Sequence, residues 1–582
     1  MSNPPENYHM PFFLGIVGHR DLVREQVPEL RAEVARLLTL LGKASPDVPL
    51  SLLCPMAAGA DLLAADVATQ LGLSVVALLP FARDVCRADL TDAAELACFD
   101  RIIARAECLE VPLPKGVTAA DIAHPGKLRD AQFERAGLLI AQYSGLLIVI
   151  WDGQPTHHCA GTAQVVEYRR RGRMPISEAD QRNYDALLSM QDNDLIYHIR
   201  CARRSGDTVP VQVIGFSGVG VADNLALPAA LVATLEHSAE FNRDVHRFGD
   251  QIARDGRRLH TAGHESVRDR LTELDHLFSA ADWLGGHFQR CFVRALRTRY
   301  VLLALMAFLL LVFKKDAEGT RGLMTLVGVV LVFTVGAGLA LWASRRSWHR
   351  KYLDYRALAE GLRVDFYWEI AGVRGQVDGE FAHESFLQKQ DVELEWIRAA
   401  MRSVSIRLAM HPVMSTETGF AQTCTDWIGL EGSVDGGGQV RYYEQRVEIL
   451  ERRERIAERI GSGLMLLGLT LAAVLIADIV AGMRAAPLLG VLTSTTVLWA
   501  LALVTVYAAL FEVYVSEKAD RQLIRQYRYM HSLFRFAGAE LGAAGANVRR
   551  LDVFRSLGHA CLAEHAQWIL AHRDKRIQGM RW

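Results

Sequence analysis

The chain has no Cys-x-x-Cys pair, no basic amino-terminal stretch leading into an apolar one, and no excess of either charge. Nine cysteines, at 54, 86, 98, 108, 159, 201, 291, 424 and 561, are scattered without the spacing of a disulfide framework or a zinc site. Reduced thiols in a cytosolic compartment are therefore expected, and no resident metal or cofactor is read. The opening MSNPPENYHM lacks the pattern of a secretory signal peptide. A formal net charge of -1 gives no basic surface for DNA or RNA, and a hydrophobic content of 51% excludes disorder. At 582 residues, several domains are expected.

What the chain does have is apolar runs. The four are residues 300–313, 322–343, 461–482 and 487–511. A membrane-spanning helix needs roughly 20 apolar residues. The second and fourth runs meet that outright. The third does if Asp478 lies near a helix end or in a protein interior. The first is short, but the eight-residue loop KKDAEGTR joins it to the second as the arm of a hairpin. Arginines flank the runs on one side: Arg290, Arg294, Arg297 and Arg299; Arg345, Arg346 and Arg350; Arg452, Arg453, Arg455 and Arg459; Arg521, Arg525 and Arg528. The hairpin loops carry fewer. Positive-inside counting places the loops outside and both termini in the cytoplasm, with a lipid bilayer as partner.

Each hairpin is followed by similar material. WHRKYLDYRALAEGLRVDFYW and ELEWIRAAMR follow the first; RQLIRQYRYMHSLFRFAGAEL and EHAQWILAHR follow the second. A weak repeat of hairpin plus long cytoplasmic helices is the economical account. Upstream, Phe241, Val245, Phe248 and Ile252, then Val267, Leu271, Leu274, Phe278 and Ala281, form helical stripes. The division expected is an α/β domain over 1–222, a helical connector over 223–298, and two-transmembrane units over 299–410 and 411–582.

Residues 1–222 alternate strand and helix. PFFLGIV, LSLLC, SVVALL, ECLEV, GLLIVIW and VQVIGF read as strands, apolar without alternation. This implies a Rossmann-like parallel sheet covered on both faces, whose ligands bind at the carboxyl ends of the strands. The turns at that edge are Gly18-His19-Arg20-Asp21, Pro55 to Asp61 through Ala58 and Gly59, Pro80 to Arg83, and Asp152-Gly153 to Gly161-Thr162. Gly59 and Gly161 allow backbone approach before helix N-termini, where free N–H groups attract phosphate. His19 and Arg20 add positive charge. Asp61 and Asp152 can accept from ribose or base. Each has a plainer reading: Asp61 as a helix cap, Asp152-Gly153 as a turn, Arg20 as a partner of Asp21. His157-His158-Cys159 has no matching second cluster for a metal.

GIVGHRDL, CPMAAGADLLAADVA, ALLPF, IVIWDGQP and GTAQVVEYRRRG together resemble the SLOG superfamily of Rossmann-like nucleotide-binding domains, which joins DprA-type proteins and the LOG phosphoribohydrolases. KYLDYRALAEGLRVDFYW and EHAQWILAHRDKR resemble the SLATT-type two-transmembrane effectors that accompany SLOG domains. The resemblance implies a nucleotide-derived ligand sensed by the first domain. It also implies a homo-oligomeric, possible-pore assembly in the bacterial inner membrane, serving defence. LOG enzymes carry Pro-Gly-Gly-x-Gly-Thr-x-x-Glu. Here Gly161-Thr162 remain, the Pro-Gly-Gly is missing, and Val165 takes the place of the Glu. Binding is favoured over catalysis, with a membrane-anchored nucleotide N-glycosidase as the alternative.

Overall fold

A computed structural model of the chain describes residues 9–114, 116–154, 161–171, 194–206, 209–218, 220–221, 224–259, 265–315, 319–373, 394–410, 417–430, 438–483, 491–518, 520–543 and 547–573. The chain forms two compact units, both discontinuous in sequence. The first comprises Met1–Leu284, Arg356–Met414 and Gly558–Asp574; the second comprises Gly285–Tyr355, Ser415–Leu557 and Lys575–Trp582.

The first unit is built on a seven-stranded sheet. Its strands are β1 (Phe12–Gly18), β2 (Leu50–Cys54), β3 (Ser74–Leu79), β4 (Glu107–Glu110), β5 (Leu146–Trp151), β6 (Ile196–Arg200) and β7 (Gln212–Ser217). Their order is β4-β3-β2-β1-β5-β6-β7. All neighbours pair in parallel except β6 and β7, which are antiparallel. The fully parallel sheet expected from sequence is thus corrected to a mixed, mostly parallel one. A β7 that follows β6 after a short connection cannot be parallel to it, because a parallel neighbour needs a crossover of a dozen or more residues.

Helices cover both faces, as the unbroken apolar strands require. They are α1 (Val27–Ala44), α2 (Ala60–Gln70), α3 (Arg83–Ala88), α4 (Ala93–Ile103), α5 (Lys127–Tyr143), α6 (Thr162–Arg171), α7 (Ala229–Arg247) and α8 (Gly249–Asp255). Alternate strand residues separate into two cores. Phe12, Leu14 and Ile16 of β1 and Leu146, Ile148 and Ile150 of β5 pack with α1, α2, α4 and α7. Phe13 and Val17, with Leu147, Val149 and Trp151, pack with α5 and α6. α1 shows how one sequence stretch produces this. Pro28 sits in its first turn, and Leu30, Val34, Leu37, Leu38 and Leu41 fall on one buried stripe. Each such side chain contributes about 1.5–3 kcal/mol by leaving water.

The first unit also holds later residues of the chain. α9 (Glu265–Lys315) is one continuous 51-residue helix. Its early turns bury Leu271, Leu274, Phe278 and Ala281. After α10 (Gly319–Arg345) comes α11 (Trp348–Ala371), then α12 (Glu395–Ala409). On α12, Trp396 meets Phe241 of α7 with ring centroids 5.6 Å apart. Arg407 donates to Glu107 of β4 at 2.6 and 2.8 Å and to Glu273 of α9 at 2.5 Å. One guanidinium thus ties the edge of the sheet to α9.

In the second unit lie α13 (Glu417–Gln422), α14 (Gly438–Met483), α15 (Val491–Lys518), α16 (Asp520–Ala543) and the early turns of α17 (Asn547–Arg573). Four helices of the chain are long and apolar enough to cross a membrane, and almost none of their apolar windows is buried. Leu323, Met324, Leu331, Met465, Leu469 and Ile476 each show more than 60% of their surface. Apolar patches of that extent are rare on soluble monomers and suggest a membrane protein. Arg299 of α9 donates to both carboxylate oxygens of Glu517 of α15, at 2.7 and 2.9 Å, and Tyr300 meets Tyr514 edge-on at 5.4 Å. The two series of helices run in parallel lengths: 51, 27 and 24 residues for α9–α11, and 46, 28 and 24 for α14–α16.

Candidate functional site

β1 and β5 are neighbours in the sheet but far apart in sequence. From β1 the chain works outward through β2, β3 and β4, then returns through α5 to β5 on the other side. The gap between the carboxyl ends of β1 and β5 is therefore the topological switch point, where open α/β sheets bind ligands. Gly18–Asp21 and Asp152–Gly153 stand at its two sides.

His19 is the keystone of that gap. Its N–H donates to Ile150 O at 3.0 Å, its carbonyl accepts from Ala60 N at 3.0 Å, and its Nε2 accepts from Asp152 N at 3.1 Å. The Asp152 carboxylate lies 3.3 Å from the same Nε2. Burial holds the imidazole below its ordinary value, against the pull of Asp152. The neutral ring is the form that can accept from Asp152 N. His19 therefore orients the β5 end through its neutral ring.

Gly18 and Gly59 let three chain segments meet. A Cβ on Gly18 would stand 2.4 Å from the Ala60 Cβ and 2.7 Å from Ile150 O. Gly59 has φ +75°, and a Cβ there would stand 2.5 Å from His19 O and 2.6 Å from Arg20 O. Gly59 N donates to Glu95 of α4 at 2.9 Å, and Leu62 N to Ala57 O at 3.3 Å. The Gly59, Ala60 and Leu62 amides at the start of α2 are thus engaged within the fold. Ala58 is half-buried in that loop.

Asp61 does not cap α2, since Gly59 occupies the cap position and no side chain caps the helix. It sits in the first turn, 4% exposed, with Oδ1 buried and without a hydrogen-bond partner. Burial pushes its carboxyl up to about 8, against the opposing influence of Arg20 and the Ala57 backbone. Arg20 does not pair with Asp21. Its guanidinium lies over the Phe133 ring at 4.3 Å, and Phe133 meets Phe81 edge-on at 4.9 Å. Asp21 instead takes Arg203 Nε at 3.1 Å and Ser205 Oγ at 2.6 Å, fixing the turn after β6.

On the β5 side, Asp152 Oδ1 accepts from Gln154 N at 3.0 Å, the turn its sequence promised. Gly153 has φ +85°. β6 contributes residues that the sequence reading missed. Arg200 Nε donates to Asp152 O at 3.2 Å, and His198 Nε2 lies 3.0 Å from Trp151 O. Gly161 and Thr162 open α6, with Gly161 O accepting from Gln164 N at 3.0 Å and Val165 N at 3.3 Å. Val165 is buried, and its Cγ2 would stand 2.7 Å from a Cβ on Gly137 of α5. That position is committed to helix packing. His157-His158-Cys159 lies outside the described residues. Among the described residues, no group of His, Cys, Asp and Glu could hold a metal ion.

The structure therefore brings Gly18, His19, Ala60, Asp152 and Arg200 into direct contact, and places Arg20 beside an aromatic pair at the same edge. Asp21 belongs to a separate structural clasp. Comparison of the chain with family models, with curated proteins and with solved structures gave no match in any of the three.

Proposed function

We propose that the β1–β5 switch point binds a nucleotide or nucleotide-derived ligand, and that its occupancy controls the four apolar helices. The chain would then be a nucleotide-sensing membrane effector of the SLOG–SLATT kind, acting as a homo-oligomer in bacterial defence. The observation that carries this reading is the meeting of His19 and Asp152 across the switch point, with Arg20 and Arg200 as the flanking cations and α6 opening at Gly161-Thr162. Arg20 and Arg200 would face phosphate, with the Phe133 ring beneath Arg20 holding that guanidinium in place.

Two antiparallel hairpins are the membrane arrangement favoured. A Cβ on Gly336 of α10 would lie 3.8 Å from Leu302 of α9, and one on Gly328 would lie 3.6 Å from Leu309. Likewise Gly461 faces Phe511 at 4.0 Å and Gly468 faces Val504 at 3.7 Å. In both pairs one number falls as the other rises, and the glycines admit close helix approach. With the arginine-rich flanks in the cytoplasm, both termini are cytoplasmic. Arg407 is the link by which the sheet edge would bias α9, and the ligand must bind one arrangement better than the other for this to act. Cleavage of an N-glycosidic bond has less support, because packed Val165 stands where that chemistry places its carboxylate.

The test is equilibrium binding of fluorescent and unlabelled nucleotides, linear and cyclic, to the full chain in detergent. Wild type is expected to bind one class of them. Gly161→Trp, which fills the entrance to α6, and Arg200→Ala, which removes a cation, are each expected to weaken that binding by tenfold or more. Unchanged affinity in both variants would place the ligand elsewhere.

A further inference from the structure

α14 divides its charges by direction just before its apolar stretch begins at Gly461. At about 100° per residue, Glu451, Glu454 and Glu458 share one side of the helix. They meet arginines of α16: Arg521 reaches Glu454 at 2.5 Å and Glu458 at 2.8 Å, and Arg528 reaches Glu451 at 2.7 Å. Buried Tyr443 and Leu450 point the same way. Turned away from that side are Arg452, Arg453 and Arg459, with Arg455 at the border between the two; all four are exposed, and none forms an ion pair among the described residues. Between them, Ile449, Ile456 and Ile460 stand 43–48% exposed. Glu448 is the acid on the arginine side.

A merely solvated face does not need three isoleucines, and a protein-packing face does not need four unpaired arginines. Together they match the boundary of a bilayer, where apolar side chains enter the acyl edge and guanidiniums meet phosphates. Rising about 1.5 Å per residue, the helix sets Arg459 about 3 Å and Arg452 about 14 Å before Gly461. Headgroups occupy the several ångströms outside the hydrocarbon core, so Arg459 and Ile460 fall within that layer, whereas Arg452 and Arg453 stand beyond it and act on its phosphates as a juxtamembrane basic segment, within a Debye length. Exposed Arg345 and Arg346, at the end of the apolar α10, carry the same character.

We infer that the Arg452–Arg459 face of α14 is a binding surface for anionic phospholipid headgroups. The charge is complementary, the face is continuous with an apolar stretch that itself requires lipid, and the acids that would repel phosphate are turned away into α16. The inference needs the chain to sit in a membrane but does not depend on nucleotide binding.

The experiment uses the full chain in a neutral detergent, with phosphatidylglycerol or phosphatidylcholine added, read by native mass spectrometry and by thermal unfolding. Wild type is expected to retain several phosphatidylglycerol molecules against few phosphatidylcholines, and to gain thermal stability from the former only. The quadruple variant Arg452→Gln, Arg453→Gln, Arg455→Gln, Arg459→Gln should lose that preference, at about fivefold in retention per guanidinium removed. The corresponding four Arg→Lys changes should keep most of it. If the Gln variant does not fold, the pair Arg452→Gln, Arg459→Gln reads the same effect at reduced size. Equal retention of the two lipids by wild type, or undiminished preference in the folded Gln variants, overturns the inference. Displacement by RNA or by a second copy of the chain in place of lipid overturns it equally.

Discussion

Replacing Gly59 by alanine is expected to lower the unfolding midpoint of the sheet unit by about 5 °C. Two costs combine. The backbone at Gly59 holds φ +75° and ψ −117°, a region that side chains strain to enter, at about 1–3 kcal/mol. The new Cβ would also stand 2.5–2.8 Å from the backbone of His19 and Arg20, where neither neighbour is a flexible side-chain end. Forcing them apart costs about 1–3 kcal/mol more. It also breaks the contact of Ala60 N with His19 O that closes the switch point. A total of about 4 kcal/mol, divided by an unfolding entropy of about 2 cal/mol/K per residue over a unit of this extent, gives that shift. Gly72→Ala is the control. Gly72 has φ +78° but nothing within 4 Å of a Cβ, so strain acts there without collision. Tryptophan-monitored melting of the full chain should show a clearly smaller loss for Gly72→Ala. Equal losses would mean that the clasp between the two turns contributes nothing.

Asp61→Asn is expected to stabilise the protein, and increasingly so as pH rises. The carboxyl has an ordinary value of 3.8, and burial pushes it up to about 8 in the folded chain. The folded state therefore binds the proton more tightly than the unfolded state between those values, and stability declines as pH climbs through that window. Asparagine is nearly isosteric and does not titrate, so it escapes the decline. The difference between variant and wild type should widen by about 4 kcal/mol between pH 5 and pH 8, and level off above that. Subtracting the two removes every other titrating group. A difference that stays constant over this range would mean that Asp61 is ionised at pH 5 already, paired in a way its unpartnered Oδ1 does not allow.

Four of the strands, β1, β2, β3 and β5, were legible because their residues are apolar and buried on both faces, and β4 and β7 because short apolar runs sit between turn signals. β6 was not. Its sequence IYHIR puts His198 and Arg200 among the apolar residues, and polar residues inside a central strand defeat a reading based on unbroken hydrophobicity. The buried His198 is satisfied by a tertiary contact, Trp151 O, which no local pattern announces. The same limit hid Glu95, 36 residues from the Gly59 amide it accepts from. The glycines and Asp152 at the strand ends were readable because turn geometry is local. The pairing of Asp21 with Arg203 was not, because it joins positions 182 residues apart. The 14-residue first apolar run looked too short to span. It gains length because the arginine-bearing turns before it remain helical, so that α9 is continuous from Glu265 to Lys315. The discontinuous units have the same origin: long helices contribute one end to each, which segment-by-segment reading cannot detect.

The central claim is that ligand at the β1–β5 switch point changes what the apolar helices do. Its most direct test is leakage of a self-quenching dye from liposomes bearing the full chain, with the nucleotide that binds most tightly supplied on the side of the sheet unit. The account predicts that this nucleotide changes the leakage rate several-fold, and that Arg200→Ala shifts the response to at least tenfold higher concentration while leaving the unliganded rate alone. A nucleotide that binds the chain yet leaves leakage unchanged would contradict it.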